Sequence, residues 1–444
     1  MRQHGISILV VSKGVHDLPL WVNIHLDMIG WTLLAWVRIA CNITFIAIII
    51  TQLEQHDIKI ILYEVLLLNS TERHEARYHR RKYKRDLKKR QNVEGYDDFD
   101  KVFSFKNLYD GYKNCIKGVQ WKASTQIYKS NALINIADSR SKLLDGSYKS
   151  MGFYEFDIFE RGKHRHIRSV HISERCIQRT LCDKCLIPVV SRRFVYDNSA
   201  NIKGRGYDFA INRATAHLHK FYRSNGHCNN GYVLMIDFSK FFDRIQHDKL
   251  FSIIDNEFSD KRITDLYKLF ISAFGECGLG LGSQVSQISA LLYPNHIDHF
   301  IKDVLRIKFF GRYMDDMYLI HNDKEYLKQC LLLIKEWCSK VGIVLNDKKT
   351  TIVKLSKGFK FLKIRFTLTT SGKVVKRLCR QNITRMRRKL KKYKKFVQNG
   401  RMSIDDVYTS FISWRGHTKR CNSYKTIRSM STLYNELFGG ITCL

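Results

Sequence analysis

The chain has 444 residues, with 76 Lys and Arg against 41 Asp and Glu, a formal net charge of +35. That length allows two or three domains with a substantial core. Charge of one sign on this scale repels itself, which argues for a polyanionic partner and against a chain that acts alone. The twelve Cys lack the regular spacing of a disulfide scaffold and read as reduced thiols of a cytoplasmic protein. With only three Pro, long Pro-rich linkers are absent.

The positive charge is not uniform. Residues 1–70 hold Arg2, Lys13, Arg38 and Lys59 against five acids, and everything after Ser70 is strongly basic. Within this first stretch Trp31–Ile50 is a mostly apolar run of bilayer-spanning length, interrupted by Arg38 and Asn42. Three readings stay open for 1–70: a membrane anchor, a buried helix with a strand, or an extension outside the fold. Arg77–Arg90 follows with nine basic residues and one acid, Asp86, and reads as a helix that meets phosphates.

Phe103–Lys117 and Ser124–Ser141 carry helical spacing, with Tyr109, Tyr112 and Trp121 expected in the core. Phe153–Phe159 alternates, Arg161-Gly162-Lys163 turns, and a basic strand returns through Arg168, so a β-hairpin is predicted. Lys163 and Arg168 are its candidate triphosphate donors. Cys182-Asp183-Lys184-Cys185 has no second pair at zinc-site spacing and reads as buried thiols. Asn201–Gly206 is a cationic glycine loop ahead of a helix over Phe209–Tyr222, and Lys203 and Arg205 are its candidate nucleic-acid contacts.

Tyr232–Ile236 is a buried strand that ends at Asp237, followed by a helix to Ile254. Gly275–Gly282 is a glycine-rich loop that leads into a helix opening at Ser283-Gln284-Val285-Ser286-Gln287, an arrangement suited to an anionic group. Ile307–Phe310 and Met317–Ile320 read as strands, which makes Tyr313-Met314-Asp315-Asp316 the tip of a hairpin. Adjacent carboxylates at such a tip repel unless a cation is bound. Brought together, Asp237, Asp315 and Asp316 are a ligand set for two Mg²⁺ ions about 3.5–4 Å apart. That pair of ions activates a 3′-hydroxyl and stabilises departing pyrophosphate. Further on, Lys324–Val341 is an amphipathic helix and Phe359–Phe366 alternates as a strand. Lys373–Arg401 has thirteen basic residues and no acid, with Arg385, Arg388 and Lys392 as candidate contacts on a helix that packs on a duplex.

In this order the motifs resemble those of bacterial reverse transcriptases, from about residue 120 to the C-terminus. Asp237-Phe238-Ser239-Lys240-Phe241-Phe242 is similar to that family's first metal motif, Gly282–Gln287 to its template and nucleotide loop, Tyr313–Asp316 to its YxDD signature, and Phe361-Leu362-Lys363 to its primer-gripping hairpin. The Asn201–Gly206 loop and the Trp414-Arg415-Gly416-His417 stretch look most like diversity-generating, abortive-infection and antiphage-defence members.

The resemblance implies an α+β right-hand polymerase: fingers over 120–230, palm over 231–370 and a helical thumb over 371–444, with a basic lead-in at 71–119 and the hydrophobic segment 1–70 outside the pattern. It implies that the Phe238 carbonyl joins the three Asp as a metal ligand and that Gln287 touches the incoming nucleotide. It implies that Lys163 and Arg168 hold the phosphates and that Phe242 blocks a ribose 2′-hydroxyl. The implied partners are an RNA template, a DNA or RNA primer and deoxynucleoside triphosphates, with a dedicated non-coding RNA as a candidate addition and antiviral defence as the implied setting. Two alternatives remain: a basic protein that binds structured RNA around an inactive site, and an untemplated or protein-primed polymerase.

Overall fold

The computed structural model describes residues 77–81, 83–84, 95–160 and 162–439, without the side chains of 160 and 163. The chain divides into two compact units, Met1–Lys89 and Arg90–Leu444. In the first, 77–81 and 83–84 are helical and exposed. The three readings of 1–70, including the apolar run 31–50, lie outside the described residues. Among those residues no helix is long and apolar enough to cross a membrane.

The second unit opens with helices α1 (Phe99–Val102), α2 (Phe105–Ile116), α3 (Ala123–Ser130) and α4 (Ala132–Leu144). The single helix expected over Ser124–Ser141 is broken at Asn131, which has left the helical region (φ −122°, ψ 34°). Tyr112 is buried, but Trp121 is 75% exposed, contrary to expectation. It lies in the turn between α2 and α3, with the Lys122 ammonium 5.6 Å from its ring centroid.

Strands β1 (Phe153–Glu160) and β2 (Lys163–Val170) form an isolated antiparallel hairpin. Helix α5 (Ile172–Leu181) runs through a π-helical turn, Cys182–Leu186, into α6 (Ile187–Val190). Cys182 and Cys185 sit wholly buried there, and burial pushes both thiols up. Helix α7 (Tyr207–Ser224) then leads to β3 (Tyr232–Asp237).

After β3 come α8 (His247–Glu257), α9 (Lys261–Ser272), α10 (Gln284–Leu292) and α11 (Asn295–His299), then β4 (Phe309–Tyr313), β5 (Asp316–His321), α12 (Lys324–Lys340) and β6 (Thr351–Lys354). The four strands form one antiparallel sheet in the order β4-β5-β3-β6. Val233, Leu234, Ile236, Met317, Leu319 and Ile320 are all essentially inaccessible. Both faces of the central strands are therefore covered, which is why they read as continuous apolar runs. A short outer pairing extends the sheet: Arg312 N donates to Asp197 O (3.1 Å) and Ser199 N to Arg312 O (3.0 Å), joining the segment before the glycine loop to the outer edge of β4.

Phe359–Phe366 is not one strand. It is β7 (Phe359–Phe361) and β8 (Ile364–Leu368), which turn at Leu362 and Lys363 with φ of 50° and 65° and continue with β9 (Val374–Leu378). A two-residue turn shifts the alternation by one position, so Phe361 and Ile364 share a face, and apolar Leu362 masks that slip in the sequence. Helices α13 (Arg380–Gln398), α14 (Ile404–Thr418) and α15 (Tyr424–Phe438) pack around their own small core of Met386, Leu390, Val407, Phe411, Met430 and Tyr434.

Candidate active site and nucleic-acid interface

The site is built at the end of β3. Asp237, the last residue of that strand, stands directly opposite Asp316, the first residue of β5. Tyr313 pairs with Asp316, so Met314 and Asp315 are the two turn residues. Met314 adopts φ 55°, the left-handed geometry that tight hairpins demand and that costs a non-glycine residue about 1–2 kcal/mol.

What holds this turn is Arg312, a fully buried arginine paired with the fully buried Asp298. Its Nε donates to both Asp298 carboxylate oxygens (2.8 and 2.9 Å), and Nη2 to Asp298 Oδ2 (2.7 Å) and to Leu291 O (3.1 Å). Nη1 reaches Met314 O at 3.2 Å. Gly311 makes room on β4 for Tyr318, since an added Cβ would lie 2.6 Å from its ring.

The electrostatics of the turn are unbalanced. Burial, then Asp315 and Asp237, push Asp316 up to about 7, and its protonated form donates to Asp237. A described cation close by is Lys349, whose Nζ bonds Asp237 Oδ2 at 2.7 Å and Oδ1 at 2.9 Å. That bond, more than the other acids, holds the lysine above its ordinary range. Lys349 was not singled out from the sequence, where it is one of two adjacent lysines; only the fold distinguishes it.

As the side chains stand, no three His, Cys, Asp or Glu among the described residues close into a metal ligand set. The donor chemistry nevertheless fits divalent cations: two carboxylates stand opposite each other at the end of a buried strand, a third adjoins them, and a lysine ammonium bonds one of them. The backbone adds an acceptor. Ser239 N donates to Val344 O (2.7 Å) and Asn346 N to Asp237 O (2.7 Å), so Phe238 lies at a non-bonded position of that ladder and its carbonyl turns to the opposite side, toward β5.

A proton balance follows from the Asp316 shift. The carboxyl titrates near 3.9 in an unfolded chain and about 7 here. Its stabilising share is complete below the unfolded value and is lost as pH rises through 7, by at most about 4 kcal/mol. Asp316→Asn is therefore expected to raise the metal-free protein's stability at pH 8 and leave it little changed at pH 4, read by denaturant unfolding. In the native chain, divalent-cation binding should release about half a proton at pH 7 and almost none at pH 9, measured by calorimetry in buffers of different ionisation enthalpy.

A cleft of about 870 Å³ opens over these residues. One wall holds Asp237, Phe242, Asp315 and Lys349, and the other is the β2 face with His164, His166 and Arg168. Phe242 is half-buried, edge-on to Phe241 at 5.7 Å, and its carbonyl accepts from Leu279 N at 2.7 Å. Arg168 is tied to the glycine loop: its N donates to Leu281 O (3.2 Å) and its Nη1 to Phe274 O (2.8 Å). Gly282 permits the approach, because with φ 118° an added Cβ would stand 2.8 Å from Arg168 O. The Lys163 side chain lies outside the described residues. On the pleated β2 the positions that share Arg168's face are 166 and 164, not 163.

The remaining candidates separate. Gln287 is exposed on α10 but points away from the triad cleft: its Oε1 accepts from Asn201 (3.0 Å), and it lines a different basic groove with Lys203. Lys203 is exposed. Arg205 is spent within the fold, bonding the Val195 and Asn198 carbonyls (3.2 and 3.1 Å) and lying over Tyr196 and Phe209. Its Nη1 closes its own loop, and the two bonds leave Nε and Nη2 outside that task. Phe361 is core, Leu362 O accepts from Tyr207 (2.7 Å), and Lys363 is exposed at the tip of β7–β8. Arg385, Arg388 and Lys392 are exposed on α13.

An antiparallel sheet that carries an acidic hairpin tip against an acidic strand end, flanked by a finger-like hairpin and a basic helical lobe, is the α+β right-hand architecture of a nucleic-acid polymerase. Residues 159–366 match the model of the family "Reverse transcriptase (RNA-dependent DNA polymerase)". The match covers 208 of the 444 residues, a little under half of the chain, and includes Asp237, Asp315 and Asp316.

No curated protein matches the sequence. Among solved structures, telomerase from Candida tropicalis, apo and truncated from its C-terminal domain, aligns at 14% identity and a TM-score of 0.41, over 55% of this chain and 60% of that one. Telomerase from Candida albicans with a fragment of telomeric RNA aligns at 12% and 0.40, over 65% and 61%. The apo Candida tropicalis telomerase aligns at 13% and 0.41, over 70% and 62%. The chain spans 60–62% of the length of these three.

Proposed function

We propose that the protein copies RNA into DNA, adding deoxynucleotides to the 3′-hydroxyl of a DNA or RNA primer. The observation that carries this is the register of Asp237 against Asp316, with Asp315 beside them, inside the domain matched to the family. Asp237, Asp315, Asp316 and the Phe238 carbonyl would hold two Mg²⁺ ions. When bound, these supply the charge that activates the attacking hydroxyl and neutralises departing pyrophosphate. Lys349 stands in for that charge on Asp237 and must leave the carboxylate for it to serve as a ligand.

Phe242 sets the choice of sugar in this reading. What supports this is its place on the cleft wall, with its carbonyl bonded to Leu279 N, and the resemblance, which implies that its ring blocks a ribose 2′-hydroxyl. Phe242→Ala is expected to lower discrimination against ribonucleotides by about 10–100-fold in kcat/KM. Single-nucleotide incorporation with paired deoxy- and ribonucleotides measures it, and unchanged discrimination would remove Phe242 from this role.

The exposed basic face of α13, with Lys203 and Lys363, supports an RNA template and a primer duplex as partners. A dedicated non-coding RNA, a cytoplasmic location and a part in antiviral defence complete the reading; the last is supported by motif resemblance alone. A primer-extension assay on an RNA template with and without Mg²⁺ tests the activity, and sequencing the RNA that co-purifies with the chain tests the template.

A further inference from the structure

We propose that a basic hollow at the end of the four-stranded sheet remote from the acidic tip holds unpaired nucleotides of a structured RNA, apart from any template in the cleft. This rests on the RNA partner of the preceding section and not on the chemistry of the three carboxylates. Two long runs of the sequence hold no acid: 209–236, between Asp208 and Asp237, and 348–404, between Asp347 and Asp405. The fold brings parts of both together. The last turns of α7 and the loop behind it come from the first run, and the turn that joins β8 to β9 comes from the second. Between them lies a hollow of about 520 Å³.

Positions 216, 219, 220 and 223 recur at helical spacing and share one face of α7. Ala216 keeps the floor low, and the exposed side chains of His219, Lys220 and Arg223 stand around it. Gly226 and His227 take φ of 62° and 56°, which reverses the chain, and the His227 ring stands edge-on to Tyr222 at 5.5 Å. The opposite wall is fixed in place. Tyr222 Oη donates to Thr370 O (3.0 Å). Gly372, with φ 77°, lets the turn lie against the Tyr222 ring, where an added Cβ would stand 2.5 Å away. Asn229 Nδ2 donates to Leu368 O (3.0 Å) and ties the loop to β8. Lys373, the next residue of the turn, is exposed.

Cations gathered in this way repel one another unless negative charge lies among them. Among the described residues no carboxylate pairs with His219, Lys220, Arg223 or His227. The hollow has the size of a small-ligand site. Tyr222 and His227 offer ring surface to a base, and Lys220 and Arg223 offer donors to its flanking phosphates. A continuous duplex keeps its bases stacked inside, whereas loops and bulges splay them out for recognition. The place is also separate from the cleft. Strand β3 begins at Tyr232, just after the loop, and ends at Asp237, a span of roughly 16 Å at about 3.3 Å per residue. RNA held here is an anchor, and a strand copied in the cleft stays free to move.

Lys220→Ala/Arg223→Ala tests this in the full chain. Equilibrium binding is measured for a stem-loop RNA and for the same stem as a blunt duplex. Lys249→Ala/Lys261→Ala, which removes equal charge from exposed positions on α8 and α9, is the control. The test variant is expected to bind the stem-loop about 10-fold more weakly and the blunt duplex within about 2-fold of native, with the control near native on both. The slope of log K against log salt for the stem-loop should shrink by roughly 1.4, the share of two phosphates on a single strand. Thiouridine placed in the loop should photocrosslink, in the native chain, to the peptide that carries Tyr222 and His227. Unchanged stem-loop affinity, an equal loss on the blunt duplex or in the control variant, or crosslinks that all fall elsewhere overturns the proposal. So does binding of anionic phospholipid vesicles that depends on Lys220 and Arg223 while stem-loop affinity does not, which would assign the hollow to a membrane surface. Primer extension is read in parallel on a short primer–template without a loop. Absent extension with stem-loop binding that depends on the pair retires the polymerase reading and leaves the hollow; normal extension with binding independent of the pair retires the hollow alone.

Discussion

Replacing Asp315 and Asp316 together by Ala is expected to reduce nucleotide incorporation by about 10⁴-fold or more and to leave RNA affinity within about 2–3-fold of the native chain. The two effects separate because they have different physical origins. Incorporation needs carboxylates that converge with Asp237 to carry the divalent charge, and such units lose nearly all their effect when broken. Affinity comes from Lys and Arg that neutralise phosphates and release counterions, and the exposed cations of α13 lie in a separate helical lobe with its own core. Primer extension and filter binding at two salt concentrations read the outcomes separately. Persistent extension by the double variant would remove these residues from the chemistry.

The second large effect is expected at Arg312, which contacts no substrate. Arg312→Ala leaves the carboxylate of Asp298 buried without its partner, and removal of one member of such a pair typically costs about 3–5 kcal/mol. Denaturant unfolding should show that loss. A second variant separates folding from positioning. Arg312→Met with Asp298→Leu removes both charges and should regain most of the stability. It cannot regain the donor to Met314 O, so incorporation should stay well below native although the fold is restored. If the apolar pair recovers both, the guanidinium is there for stability alone.

These two predictions mark what could be read from residues in order and what could not. Asp237 and Asp316 were legible because one closes and the other opens an apolar run, with Asp315 beside them in the turn, and strand ends are where a sheet delivers side chains to a common edge. Arg312 was invisible in its own strand, where a basic residue looks like an outward-facing one; its partner lies 14 residues away and the pair meets only after α11 packs behind β4. Lys349 and Arg205 illustrate the same limit in opposite directions. Both are cations in basic surroundings, yet one bonds a catalytic candidate and the other closes its own loop. The turn inside Phe359–Phe366 was hidden because Leu362 and Lys363 take positive φ without a glycine to announce it.

The pairing of Asp197 and Ser199 with Arg312 has a mechanical consequence. It stitches the stretch before the glycine loop to the same strand that carries the acidic tip, so a shift of that strand would strain both bonds. Among the described residues the β1–β2 hairpin pairs with no other sheet; a backbone bond to Leu281, a guanidinium bond to Phe274 and the stacking of Phe153 on Phe274 tie it to its surroundings. The cleft is thus bordered on one side by a sheet pinned at its outer edge through Arg312 and on the other by a hairpin fastened at the Arg168 end of β2.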